Sequence, residues 1–373
     1  MKENRLYFLD AVRCFAILMM LQGHFIDGLL HASYKSSEYT AFNIWNGLRG
    51  NTAPLFFTVT GLVILFLLKK AETKGNQNLR IKKGFKRGAS LILIGYSLRI
   101  PVFSWLLGHF DSYFLVIDVL QIIGISVILL NGFYAVLKTQ TKLLTLLLTA
   151  IGTFIFVSEP LYRNLALPQV PDVIVNYITT ENGSLFTLLP WFGFVTYGAV
   201  LGIIFHKFQS KTHFKTIAIS SFLIGGLCLS IASSEVLSLI YNITQIELFQ
   251  SVAFYNYLFI RLGNVLFIFG IFYALESYLK HPLILKLGNS TLSIYVVHFI
   301  ILYGSYTGFG LFRYGRNSLE PWSAVLGALA FISLVCLIVV YEDKIKAFLN
   351  INIRKAWNFI KLKSIYRIRL HRS

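Results

Sequence analysis

Arg13 and His24 lie eleven residues apart in the apolar stretch LDAVRCFAILMMLQGHF near the start of the chain. At 100° per residue that spacing is about 20° beyond three helical turns, so a helix places both on one stripe. The rise between them is about 16 Å, roughly half a hydrocarbon core. An ionisable side chain at the centre of a spanning helix costs about 2.5–3.5 kcal/mol on insertion scales, so each is expected to have a partner or a task. Asp10 lies one turn before Arg13 and can pair with it near the inner boundary. Asp27 and His31 continue the stripe outward. A carboxylate beside an imidazole can fix its tautomer, which is what a general base needs. The competing reading makes His24 a neutral core imidazole bonded to a backbone carbonyl or a tyrosine. Metal binding by His24, Asp27 and His31 has only helical spacing in its favour, and no metal is expected.

A second polar cluster opens the next apolar stretch, WNGLRGNTAPLFFTVTGLVI. Trp45, Asn46, Arg49, Asn51 and Thr52 fall at the outer edge, where the His24 end of the first stretch emerges. They serve equally as an interfacial anchor and as donors at a cavity mouth. Pro54 suits an early helical position, and Gly61 permits close helix approach. Further ionisable or polar groups inside apolar segments are Arg99, Asp118, Gln121, Arg261 and His298. Arg99, Asp118, Arg261 and His298 are placed in the outer half. Arg99 and Asp118 read either as substrate contacts or as a structural ion pair. His298 reads as a second cavity histidine or as a bonded core one.

These side chains need spanning helices to hold them, and the composition supplies them. Hydrophobic residues make up 56% of the 373 residues and charged residues 13%, where a soluble chain carries about 25% charged. Soluble, disordered, fibrous and disulfide-stapled classes are excluded. The three cysteines, Cys14, Cys228 and Cys336, are scattered through apolar segments and read as small buried hydrophobes. About ten stretches approach the 20 or so apolar residues of a spanning helix. They run over 8–30, 52–68, 88–107, 116–137, 143–158, 185–205, 216–240, 255–279, 287–306 and 322–341. The first, with Arg13 and His24 inside it and no small-residue cleavage site after it, reads as a retained span rather than a signal peptide.

The loops give an independent orientation. Short cytoplasmic loops retain Lys and Arg. With the amino terminus inside, inner segments hold Lys2, Arg5, the run from Lys69 to Arg87, Lys138, Lys142, Lys207, Lys211, Lys215, Lys280 and Lys286. The outer loops hold Lys35, Arg49, Arg163, Arg313 and Arg316. The net charge of +18 is therefore largely topological, and nucleic-acid binding is not expected. Both termini are placed in the cytoplasm. Residues 1–343 form one transmembrane domain, and 344–373 form a basic tail that alternates basic and apolar residues, as a helix on an anionic inner leaflet does or a solvated end. The expected fold class is all-α, a polytopic membrane bundle.

The stretch LDAVRCFAILMMLQGH resembles the first span of the transmembrane acyltransferases. The acyltransferase-3 family has the same Arg, ten residues, His spacing and a second span like FFTVTG. LDAVRCFAI, WNGLRGNTAPLFFTVTG, DVLQIIG and LGNSTLSIYVVH are similar to the heparan-α-glucosaminide N-acetyltransferase-like branch. The resemblance implies a ten-helix enzyme that takes an acyl group, by preference acetyl, from cytoplasmic acyl-CoA and delivers it to an extracytoplasmic glycan or glycolipid. It makes His24 the catalytic residue and Arg13 the group that supports the donor. Two positions depart from the pattern. The heparan enzymes have a catalytic His just before the WNG motif, whereas Ala41, Phe42, Asn43 and Ile44 precede Trp45 here, and Cys14 replaces the usual Gly after the Arg.

The residues agree with that reaction. An acyl-CoA is polyanionic and needs a basic inner mouth, for which Arg80, Lys83 and Arg87, with Lys82 and Lys86, are candidates, although topology alone also accounts for them. A hydroxyl or amine acceptor needs a base as it attacks the thioester, and His24 is the candidate. The expected location is the bacterial inner (plasma) membrane. The alternative is a secondary transporter in which Arg13, His24, Asp118 and Arg261 form a relay, although the two halves of the chain show no repeat of the kind such transporters carry.

Overall fold

The computed structural model describes residues 6–110 and 112–345. Those residues form an all-helical bundle, with one isolated bridge between Leu30 and Leu319. The chain runs through α1 (Tyr7–Leu29), α2 (Thr40–Arg49), α3 (Thr52–Thr73), α4 (Gln77–Arg99), α5 (Val102–Leu106), α6 (Val119–Leu137) and α7 (Thr141–Val157). Two short turns, α8 (Glu159–Tyr162) and α9 (Asp172–Val175), lead to α10 (Leu188–Phe208), α11 (Phe214–Thr244), α12 (Glu247–Phe254) and α13 (Tyr257–Ala274). The chain continues through α14 (Pro282–Asn289), α15 (Thr291–Tyr303), α16 (Leu311–Gly315) and α17 (Pro321–Val340).

Among the described residues seven helical segments are long and apolar enough to cross a membrane, and α14 with α15, bent by 69°, makes an eighth if counted as one broken span. The sequence expectation of about ten also counts α4 and α7. α7 is apolar but has 17 residues. α4 has 23, yet its first half carries Arg80, Lys82, Lys83, Lys86 and Arg87. The chain is a multi-pass integral membrane protein. The basic tail expected over 344–373 lies, apart from Lys344 and Ile345, outside the described residues.

Close backbone approach holds the centre together. A Cβ added at Gly61 of α3 would lie 1.9 Å from the Val195 carbonyl oxygen, and one at Gly198 of α10 would lie 2.0 Å from that of Thr58. Lipid tails are as apolar as leucine, so helices in a bilayer gain by such van der Waals packing rather than by hydrophobic exclusion. Gly61 is thus the contact that the sequence places there. Gly88 and Gly124 let α4 and α6 meet in the same way, each would-be Cβ lying 2.7 Å from the other glycine's carbonyl oxygen.

Two further features position the site. α1 stops at Leu30, and its last carbonyl, that of Leu29, accepts N–H groups from Ser318 and Leu319 at 2.9 Å each, which ties its end to the segment before α17. α2 has no buried residue and lies across that same end as a short amphipathic helix. The opposite end collects the basic loops: Lys280 lies 5.0 Å from the Tyr7 ring, and Glu276 pairs with Lys215 at 3.2 Å while accepting the Phe8 N–H.

Candidate active site

α1 carries Arg13, Ile17, Met20, Gly23, His24 and Asp27 along one face, and that face walls a cavity of about 870 Å³. The cavity begins at the basic end between Arg80, Lys83 and Arg87 of α4. It passes an apolar middle formed mainly by α3 and α6 and reaches Asn46, Arg49 and Arg261 at the other end. Arg13 and His24 therefore look into one continuous void. Asp27, at the last turn of the same stripe, does so too.

Arg13 donates from Nη2 to Thr291 Oγ1 at 3.1 Å. Thr291 is the first residue after the break between α14 and α15, so the bend delivers a polar side chain to mid-depth. Asp10 is buried one turn below, where Gly288 lets α14 press onto the Asp10 backbone.

His24 Nδ1 lies 2.9 Å from the Tyr303 hydroxyl. The sequence expectation gave the role of tautomer partner to Asp27, but that carboxylate swings to Arg49, whose Nη1 it meets at 2.9 Å. Tyr303 holds the ring from α15 instead. Sequence reasoning missed it because a tyrosine 279 residues away among 20 has no distinguishing spacing. The tyrosine-bonded geometry named as the competing reading for His24 is thus present, yet the imidazole still borders the cavity, so the bond orients the ring without removing it from the void.

His298 packs against His24 with ring centroids 5.4 Å apart and against Tyr295 at 4.9 Å. It is fully buried, and no side chain among the described residues hydrogen-bonds its ring nitrogens. It lies behind His24 as seen from the void. His31 stands outside the cavity: the helix has ended, and its Nδ1 accepts the Ser33 N–H at 3.3 Å on the exposed outer turn. Among the described residues no group of three or more His, Cys, Asp or Glu side chains is placed to hold a metal.

The outer cluster divides. Asn46 and Arg49 line the cavity. Trp45 Nε1 donates to Gln22 Oε1 at 2.5 Å, which clips α2 to α1, and the Arg49 guanidinium lies 5.2 Å from the Trp45 ring within α2. Asn51 is a positioning residue at the α2–α3 bend: it donates to the Gly47 carbonyl at 3.2 Å and accepts from Asn264 at 3.1 Å. Arg99, Asp118 and Gln121 do not border the cavity. Arg99 and Asp118 form a buried ion pair at 3.0 Å, and Gln121 closes a capping box with Asp118 at the start of α6. The structural alternative for that pair is the observed geometry. Arg261 of α13 does reach the cavity, with its Nη2 3.0 Å from where a Gly50 Cβ would stand. Of the basic run on α4, Arg80, Lys83 and Arg87 face the void.

Comparison with curated proteins finds no match. Comparison with family profiles matches residues 5–246, the span that runs from α1 through α11 and carries both the Arg13–His24 stripe and the basic face of α4. That match covers more than half of the sequence, and the chain belongs to the family described as heparan-alpha-glucosaminide N-acetyltransferase, catalytic.

Proposed function

We propose that this protein is a membrane acetyltransferase that takes an acetyl group from acetyl-CoA at the basic end of the cavity and passes it to a hydroxyl or amine of a glycan or glycolipid at the other end. Family membership supports the acetyl donor. The observation that carries the reading is that Arg13 and His24 open into one void running from Arg80, Lys83 and Arg87 to Asn46 and Arg49. A polyanionic donor that cannot cross the bilayer is met by three cations at one mouth, and the apolar middle accepts its uncharged arm.

In this reading Arg13, positioned by Thr291, holds the donor arm or the thioester oxygen. His24 gives its Nδ1 hydrogen to the Tyr303 oxygen and keeps Nε2 as the base. As the acceptor attacks the carbonyl carbon, its proton passes to Nε2, the C–S bond breaks, and the coenzyme thiolate recovers that proton from the imidazolium. Nothing is oxidised or reduced. The basic end faces the cytoplasm of a bacterium, and the protein resides in the inner membrane.

The test is a screen of radiolabelled acetyl-CoA against envelope glycans with the purified protein. Label is expected in a saccharide fraction with wild-type protein and not with His24→Ala. Equal labelling with both proteins removes His24 from the chemistry, and no labelling with either contradicts the acetyl-transfer reading.

A further inference from the structure

The half of the cavity that runs from the α4 mouth to Arg13 offers a ligand mainly hydrogen-bond donors. Arg13, Arg80, Lys83 and Arg87 line it, and guanidinium and ammonium groups accept no hydrogen bond. They suit the phosphates of an acyl-CoA under the function proposed above, and the inference here rests on that reading. They do not suit the pantetheine arm between the phosphates and the thioester. Its amide N–H groups and hydroxyl are donors themselves, and each one buried without an acceptor weakens binding.

The side-chain oxygens in that half are not equivalent. Thr291 Oγ1 already takes the Arg13 N–H at 3.1 Å. Asn131 Oδ1 is enclosed against α4, where a Cβ added at Gly84 would stand 2.2 Å from it. Asn289, the last residue of α14, is different: it lines the cavity and is exposed, although Leu287 and Gly288 just before it are buried. Gly288 presses onto the Asp10 backbone and Thr291 holds Arg13, so Asn289, between them in sequence, sits at the depth of the Asp10 to Arg13 turn. The bend of 69° follows at once, so its side chain stands at a helix end instead of inside a straight span. Its Nδ2 donates to the Leu285 carbonyl at 2.6 Å, one turn back, and this fixes the carboxamide. The bond assigns the nitrogen, and Oδ1 remains as the acceptor that Asn289 offers the void.

We propose that Asn289 recognises the acyl donor: its Oδ1 accepts a hydrogen bond from an amide or hydroxyl of the pantetheine arm as the arm passes Arg13. The protein thus reads the arm as well as the phosphates. Removing that oxygen weakens ligands that carry the arm and spares those that carry only phosphates.

The experiment is isothermal titration of the full-length protein in detergent with coenzyme A, with pantetheine, and with adenosine 3′,5′-bisphosphate, a phosphate end without the arm. Wild type is compared with Asn289→Leu, which keeps the size of the side chain and loses the amide, and with Asn289→Ala, which loses the amide without adding bulk. Both variants are expected to bind coenzyme A and pantetheine about five- to tenfold more weakly, the weight of one uncharged hydrogen bond. Their affinity for the bisphosphate is expected to stay at the wild-type value. If pantetheine alone gives no measurable heat, the comparison of coenzyme A with the bisphosphate decides. Coenzyme A affinity that the variants leave unchanged overturns the proposal and makes Asn289 a helix end only. An equal loss for the bisphosphate also overturns it, because the basic mouth has then moved. So does a loss confined to one of two folded variants, which reports the shape of the new side chain; if one variant does not fold, the other decides by the same comparison. Wild type that binds coenzyme A with no effect of Asn289 sinks this assignment alone. Wild type that binds no coenzyme A contradicts the acetyl-CoA reading, and this assignment falls with it.

Discussion

The His24 imidazole can accept a proton only through the nitrogen that Tyr303 leaves free. In the proposed mechanism its Nδ1–H donates to the Tyr303 hydroxyl, 2.9 Å away, and this leaves Nε2 bare. Removing the phenol unpairs Nδ1 and releases that choice. Tyr303→Phe is expected to lower the turnover of acetyl-CoA about five- to tenfold, the equivalent of one hydrogen bond of about 1 kcal/mol. The KM for acetyl-CoA should stay near wild type, since Tyr303 is on the far side of His24 from the basic mouth. Steady-state kinetics separate the two, and a change confined to KM contradicts the assignment. A different outcome is expected for Asp118, whose ion pair with Arg99 is buried and lies off the cavity. Asp118→Ala leaves an uncompensated guanidinium and should cost about 3–5 kcal/mol of stability, read as a lower unfolding midpoint in detergent. An unchanged midpoint argues that the pair is not what holds that corner.

At the scale of elements, α3 and α10 lie so close that their glycines cannot be replaced. Gly198→Leu would drive a Cβ to 2.0 Å from the Thr58 carbonyl oxygen, beyond what rotamer changes relieve, and should meet or exceed the roughly 3 kcal/mol upper end of overpacking penalties. Gly132 of α6 has nothing within 4 Å of its would-be Cβ, so Gly132→Ala should be neutral or stabilising by up to about 1 kcal/mol. Size-exclusion profiles and thermal midpoints of the two variants check the contrast. These elements also separate what the sequence reveals from what it hides. The α1 stripe was legible because 3.6-residue periodicity fixes which side chains share a face. Gly61 was legible because small residues in apolar helices mark close contact. The break at Ser290 was not: the stretch 287–306 reads as one span despite Asn289, His298 and several hydroxyls, and its apolar length alone does not distinguish a straight helix from one bent by 69°. α2 was hidden too, because a ten-residue helix with no buried side chain has the composition of an interfacial loop. Tyr303, Thr291 and Asn264 reach their partners through long-range packing, which periodicity does not encode.

At the scale of the whole molecule, the positive-inside pattern predicts which end of the cavity meets which compartment. Ser37 lies before α2 and Lys74 at the end of α3, so they flank opposite ends of the bundle. In a background with Cys14, Cys228 and Cys336 replaced by serine, Ser37→Cys should react with a membrane-impermeant maleimide on intact cells. Lys74→Cys should react only after permeabilisation. The reverse pattern inverts the orientation and moves the donor mouth to the wrong side. The central claim joins all three scales: Arg13 and His24 act in one void that receives an acyl thioester. Its most direct measurement is the release of coenzyme thiol from acetyl-CoA by purified protein, without acceptor, in wild type and His24→Ala. Slow release is expected from wild type, with water taking the acceptor's place, and a loss of about 100- to 10,000-fold in the variant, the usual contribution of a general base. Equal release by two folded proteins, or no release by wild type, would contradict it.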